Sequence, residues 1–272
     1  MTAAIPSKHL PATTQEIYRH AIRTLGTAGV RWLAGGAYAL AYYTGITRNT
    51  KDFDIFLRAE DAPRALEILA EAGFRAEMVF SHWLGKAYSN GDFIDVIFSS
   101  GNGIAKVDDL WFAHARCGGF LGEEVLVCPP EETIWSKAYV VERERFDGAD
   151  INHLIRAVGR QMDWRRLLQR FGSHGRMLLA HLVMFGFVYP SDRDAVPEWV
   201  MEELIGRLQC ELTSAPREGQ LCRGTLLSRI QYSSDIALAG FDDARLEPNA
   251  SMTPEQVRVW TEAGFCEQSG VK

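Results

Sequence analysis

Cysteine is scarce and unpaired. The 272 residues hold five (Cys117, Cys128, Cys210, Cys222, Cys266), an odd number with no C-x-x-C pair. That excludes a disulfide framework or a cysteine-based zinc site as organising device, and predicts reduced, mostly buried thiols. Long apolar runs are missing as well. The longest, Met177 to Tyr189, has 13 residues and is interrupted by His181, short of the ~20 needed to cross a bilayer. No membrane partner is expected. The stretch MTAAIPSKHLPATTQ lacks the apolar core of a signal peptide, which predicts a cytoplasmic location. Nor is positive charge in excess: Lys+Arg 29 against Asp+Glu 35 gives a net charge of −6. This argues against a non-specific grip on nucleic acid, although a local basic patch can oppose the global sign. No Gly-x-Ser-x-Gly, Walker loop or His–Cys pairing occurs, so nucleophilic catalysis and P-loop hydrolysis have no support. His174 and His181 lack the accompanying Glu of H-E-x-x-H and read as core or surface histidines.

What is present is an ordinary supply of core. Hydrophobic residues make up 47% and charged residues 24%, enough for one large domain or two modest ones. Helical periodicity covers Thr14 to Thr27. The apolar stretch Val30 to Ala34 runs into Gly35-Gly36, and a second helix follows up to Gly45. A strand is predicted at Asp52 to Leu57, a helix at Ala62 to Ala72 and a strand at Phe74 to Phe80. Leu84 to Ser89 and Asp92 to Phe98 flank Asn90-Gly91, a two-residue hairpin turn. A short helix at Val107 to Cys117 and a strand at Glu124 to Cys128 complete an α/β segment, and Pro129-Pro130 marks the boundary. Beyond it the patterns are helical: Glu131 to Glu144, Ala149 to Val158, Trp164 to Phe171, Arg176 to Val188 and Glu198 to Cys210. Glu211 to Pro248 shows no period, and a last helix is capped by Thr253 and runs to about Ala263. The predicted fold is an α/β domain with a mixed β-sheet over residues 1–128, followed by a mainly α-helical domain over residues 129–272.

The sharpest chemical feature is Asp52-Phe53-Asp54. Side chains alternate along a strand, so Asp52 and Asp54 share one face while Phe53, Ile55 and Leu57 form the core set. Two carboxylates side by side repel unless a cation or proton lies between them, and Mg²⁺ favours such oxygen ligands. Asp95 is a lone acid in Phe93-Ile94-Asp95-Val96-Ile97. If the two strands are neighbours, three carboxylates converge, as for two metals about 3.5–4 Å apart in phosphoryl or nucleotidyl transfer. Gly35-Gly36 opens a helix, either as a plain strand-to-helix turn or as a place where a close backbone and free N–H groups suit phosphate. Arg48 and Lys51 read either as basic side chains of a solvated turn or as cations suited to charge gathering on a leaving pyrophosphate. Lys137 lies in the otherwise apolar Trp135-Ser136-Lys137-Ala138-Tyr139 and either snorkels out or faces a cleft. Arg143, Arg145 and Asp150 read as surface ion pairs. Arg156, Arg160, Arg165, Arg166, Arg170 and Arg176 occur with a single acid, Asp163, and read as a solvated face or a run that binds a phosphate-bearing acceptor. Met177, Met184, Phe185 and Phe187 read as core.

The segment LAGGAYALAYYTGITRNTKDFDIF resembles the signature of the DNA polymerase β-type nucleotidyltransferase superfamily: Gly-Gly after an apolar residue, a helix, then Asp-x-Asp, with a later strand acid. The resemblance covers roughly Val30 to Phe98, and 15 residues separate Gly36 from Asp52, more than is common in the superfamily. That superfamily includes tRNA CCA-adding enzymes, aminoglycoside and lincosamide nucleotidyltransferases, and abortive-infection toxins. The resemblance implies Gly35 and Gly36 at the nucleotide phosphates, Asp52 and Asp54 on two Mg²⁺ ions, and Asp95 completing the metal site and favouring deprotonation of the acceptor. It also implies a helix lysine, here Lys137, on the triphosphate. The implied activity is transfer of a nucleoside monophosphate from an NTP such as ATP to a small molecule, an RNA end or a protein, with release of pyrophosphate. Two other readings stand beside it: a catalytically silent nucleotide-binding or regulatory protein of this fold, and a metal-dependent glycosyltransferase. The latter would release a nucleoside diphosphate and has no need of Gly-Gly before the acids.

Overall fold

The structure is a computed structural model that describes residues 4–7, 10–48, 50, 52–215, 219–246, 248 and 250–269. Two units divide the chain, Met1–Pro129 and Pro130–Lys272.

In chain order the first unit holds α1 (Ala12–Thr27), β1 (Leu33–Ala34), α2 (Gly36–Thr44), β2 (Asp52–Phe56), α3 (Ala62–Glu71), β3 (Arg75–Phe80), β4 (Leu84–Ser89), β5 (Asp92–Ile97), α4 (Asp109–Ala113), β6 (Arg116–Phe120) and β7 (Glu123–Val127). The strands form one mixed sheet in the order β3-β4-β5-β2-β1-β7-β6. β2 runs parallel to β5 and β1 parallel to β7, while the remaining neighbours are antiparallel. Asn90 and Gly91 take φ of 49° and 89°, the left-handed pair a two-residue hairpin needs to follow the strand twist. The core lies on the sheet face opposite the acids. Phe53, Ile55, Ile94, Val96 and Ala87 are buried there. Tyr18 of α1 packs on Phe53 with ring centroids 5.2 Å apart. A side chain on Gly85 would collide with Leu66 of α3, so the glycine sets how closely that helix lies on β4.

Two expectations change here. The helix placed over Val107 to Cys117 is only Asp109–Ala113, capped by the Asp108 side chain on the Leu110 N–H. Its final residues belong instead to β6, which Gly118 and Gly119 disguise, glycine being a poor strand former. β6 turns into β7 through Leu121-Gly122, both at positive φ. Leucine is an unusual residue for that conformation, so the turn has no composition signal.

The second unit contains α5 (Pro130–Lys137), α6 (Gly148–Val158), α7 (Trp164–Phe171), α8 (Gly175–Val188), α9 (Glu198–Thr213), β8 (Leu221–Cys222), α10 (Ser233–Ala237), β9 (Asp242–Asp243) and α11 (Pro254–Ser269). β8 and β9 pair in parallel within the segment that showed no period. α5 stops at Lys137, short of the predicted Glu144, because the chain turns back: the Val140 carbonyl accepts from the Asp147 N–H at 3.3 Å and Glu142 receives the Ser228 hydroxyl. α11 continues past Ala263. The cysteines are not mostly buried: Cys128 is, but Cys117, Cys210 and Cys266 are exposed on the solvent sides of β6, α9 and α11. Phe187 is 86% exposed, on the side of α8 opposite the buried Leu178, Leu182 and Phe185, so it does not join the core. No helix among the described residues is long and apolar enough to cross a membrane.

Arg156, Arg160, Arg165 and Arg176 are exposed, as a solvated face would be, whereas Arg166 and Arg170 are largely buried with their acids. The expected solvated face of arginines draws its acids from remote segments. Arg166 lies 2.6 Å from Glu131 and 2.9 Å from Glu132, and Arg170 lies 3.0 Å from Glu132. Arg160 pairs with Asp194 and Arg176 with Glu211. Asp150 is also not a surface partner. It is buried and lies 2.9 Å from Lys137.

Candidate active site

Parallel pairing of β2 with β5 sets Asp54 directly beside Asp95, and antiparallel pairing of β5 with β4 sets Asp95 beside Lys86. Residues in register across neighbouring strands point to the same face. One row therefore reads Asp54, Asp95, Lys86 and, through β3, Glu77. The next row on that face reads Asp52, Phe93, Tyr88 and Arg75. Asp52, Asp54 and Asp95 each bring a carboxylate oxygen within 4.8 Å of the others; among the described residues, no other three His, Cys, Asp or Glu side chains gather in this way.

The glycine pair shapes this cluster from the β1 side. The Gly35 N–H donates to the Asp54 carbonyl at 2.9 Å, tying the start of α2 to β2. Gly36 has φ +52°, and a Cβ there would fall on the Asp54 carboxylate. A Cβ on Gly35 would fall on the Phe56 ring, which is itself stacked on Trp111 at 5.3 Å. The glycines thus give room to the acid and to the ring beside it. They leave the first turn of α2, whose N–H groups have no partner within the helix, next to the carboxylates.

Electrostatically the site is strained toward negative charge. Burial pushes the Asp95 carboxyl up from its ordinary value, the Lys86 ammonium pulls it back, and Asp52 adds to the rise. Beneath the sheet, burial raises the phenols of Tyr18 and Tyr38, helped by the charges of Asp52 and Asp54, so both stay protonated. Lys86 lies 2.7 Å from Asp95. Carboxylates this close with one ammonium among them form a hard oxygen donor set, and they fit a divalent cation such as Mg²⁺.

The remaining candidates are placed as follows. Arg48 is exposed in the loop between α2 and β2, and Lys51 lies outside the described residues. Lys137 sits on α5 in the second unit, 2.7 Å from Asp147 and 2.9 Å from Asp150, neither snorkelling to solvent nor alone. Lys86 is the site residue that sequence reading missed. Its signal was available: with Asn90-Gly91 as a two-residue loop, Ser89 pairs with Asp92, and counting three residues back along each strand sets Lys86 against Asp95.

Solved structures with partial likeness to this chain include the antibiotic-resistance factor ANT(2'')-Ia, at 16% identity, 67% coverage of this chain, 96% of the other and a TM-score of 0.40. A second is the lincosamide antibiotic adenylyltransferase LnuA, at 14% identity, 51% coverage of this chain, 94% of the other and a TM-score of 0.39. A third is an antigenic nucleotidyltransferase-like protein from Paracoccidioides brasiliensis, at 14% identity, 69% and 95% coverage and a TM-score of 0.41. No curated protein matches. A family model described as "Uncharacterised nucleotidyltransferase" matches residues 13–185, more than half of the chain and the whole of the acid cluster. The chain belongs to this nucleotidyltransferase family and is an enzyme of that class.

Proposed function

We propose that the enzyme moves a nucleoside monophosphate from an NTP, ATP by first expectation, to a hydroxyl on a small molecule, an RNA end or a protein, in the cytoplasm and with Mg²⁺. The observation that carries this is the convergence of Asp52, Asp54 and Asp95 at the start of α2. Asp52 and Asp54 hold the metal ions, and the first turn of α2 at Gly36 binds the phosphates. When bound, two Mg²⁺ ions lower the pKa of the attacking hydroxyl and neutralise the leaving group. The acceptor oxygen forms a bond to the α-phosphorus while the bond from that phosphorus to pyrophosphate breaks. Asp95, on the far side of Asp54 from the glycine pair, draws the acceptor proton away. Arg48 and Lys51 are the cations proposed for the triphosphate.

The test is incubation with each α-labelled NTP, Mg²⁺ and candidate acceptors, comparing the natural chain with Asp54→Asn. We expect label on product and equimolar pyrophosphate from the natural chain, and a loss of ~10³-fold or more in the variant, the scale reached when a group stabilising transition-state charge is removed. Equal labelling by both proteins would remove the metal role of Asp54.

A further inference from the structure

Lys86 has no part in the reaction as set out above, yet it is built into the cluster. Its ammonium lies 2.7 Å from Asp95 Oδ1 and 4.2 Å from the centroid of the Phe93 ring, and its side chain is 20% exposed. A carboxylate on one side and an aromatic face on the other fix a long, flexible side chain in one place. Register then leaves it a single acid of the triad: Asp95 is its direct neighbour, and Asp54 lies a strand further on. Three carboxylates and one ammonium carry two negative charges in sum, the charge of one divalent ion.

We propose that Lys86 is a positioning residue of the metal centre. Its ammonium engages one oxygen of Asp95, leaves the other for the centre, and limits the nucleotide-free enzyme to a single divalent ion. This rests on the metal-dependent reading above, and its test separates the two.

Mn²⁺ is titrated into the full chain without nucleotide and followed by electron paramagnetic resonance, with Lys86→Met, Lys86→Gln, Lys86→Arg and Asp54→Asn beside the natural protein. One ion per chain is expected in the natural protein. Removing a competing cation should tighten Mn²⁺ binding about tenfold in Lys86→Met and Lys86→Gln, while Lys86→Arg stays near the natural affinity. A purely structural lysine would weaken binding when removed, so the direction of change is decisive. Unchanged or weaker binding in whichever neutral variant keeps its helical circular dichroism overturns the proposal, as does a second tight ion in the natural protein. If Asp54→Asn binds Mn²⁺ as well as the natural chain, the metal reading itself fails, and the lysine proposal fails with it.

Discussion

In the first unit three carboxylates face one another with one ammonium beside them; in the second, Glu131 and Glu132 face Arg166 and Arg170. Both clusters combine carboxylates with cations, and the balance differs. In the helical unit each buried acid has a cation in hydrogen-bond reach, and those pairs tie the first turn of α5 to α7: Glu131 Oε1 also accepts the Asp163 N–H at 2.7 Å, at the start of that helix. In the α/β unit the acids outnumber the cation, and the surplus negative charge is what a metal would answer. Buried charge that is balanced within the chain holds structure, whereas charge left unbalanced at a helix start marks chemistry.

That contrast breaks most readily at Glu132, which is fully buried with two arginines on its oxygens. Glu132→Ala strands both guanidinium groups, and the expected loss is about 3–5 kcal/mol in urea denaturation of the full chain. A loss below about 1 kcal/mol would mean that the arginines find other partners and that the balance is not structural. The counterpart in the first unit is Gly36→Ala. It forces a Cβ onto the Asp54 carboxylate at a positive φ, and misplacing a ligand by about 1 Å costs roughly 10²-fold in transfer. Mn²⁺ binding should fall in parallel while urea stability changes less than in Glu132→Ala. Retained binding would show that Asp54 can move aside.

The two units also differ in how much of them was legible. β2, β5 and the hairpin turn were readable because each carries its own signal: alternating apolar residues and Asn-Gly. The triad followed from those elements once β2 and β5 were taken as neighbours, and neighbour choice is a long-range matter on which local pattern is silent. β6 was lost because Gly118-Gly119 and the Leu121 turn hide a strand that tertiary pairing enforces. In the second unit the helices were legible and their pairing was not. An arginine at position 166 looks like a solvated residue until a glutamate 34 positions earlier is seen beside it.

A smaller effect sharpens the comparison through pH. Burial alone would push the Asp147 carboxyl up, but hydrogen bonds and charge from Arg145 and Lys137 outweigh it and hold it down at about 2, from an ordinary 3.8. A depressed folded pKa gives stability that is complete above pH 3.8 and is lost as pH falls through about 2. The contribution is about 2 kcal/mol. Protection from hydrogen exchange in α6, whose first residue follows Asp147, should weaken over that window, and Asp147→Asn should remove this part of the acid dependence. An identical acid limb in both proteins would show that Asp147 is not held down.

The smallest expected effect tests whether pairing or burial carries the distinction. Arg258 on α11 pairs with Glu255 at 2.7 Å and Glu262 at 2.8 Å, as good a geometry as any in the second unit. These side chains are more than half exposed, and water and salt screen them. Arg258→Ala should therefore leave the melting temperature unchanged within error at 0.15 M salt, although it removes as many ion-pair partners as the loss of Glu132 does. A drop comparable to that of Glu132→Ala would place the stabilisation in the count of pairs. No drop places it in desolvation, which makes an unpartnered charge costly inside and nearly free outside, and which sets the acid cluster on β2 and β5 apart from the acids along α11.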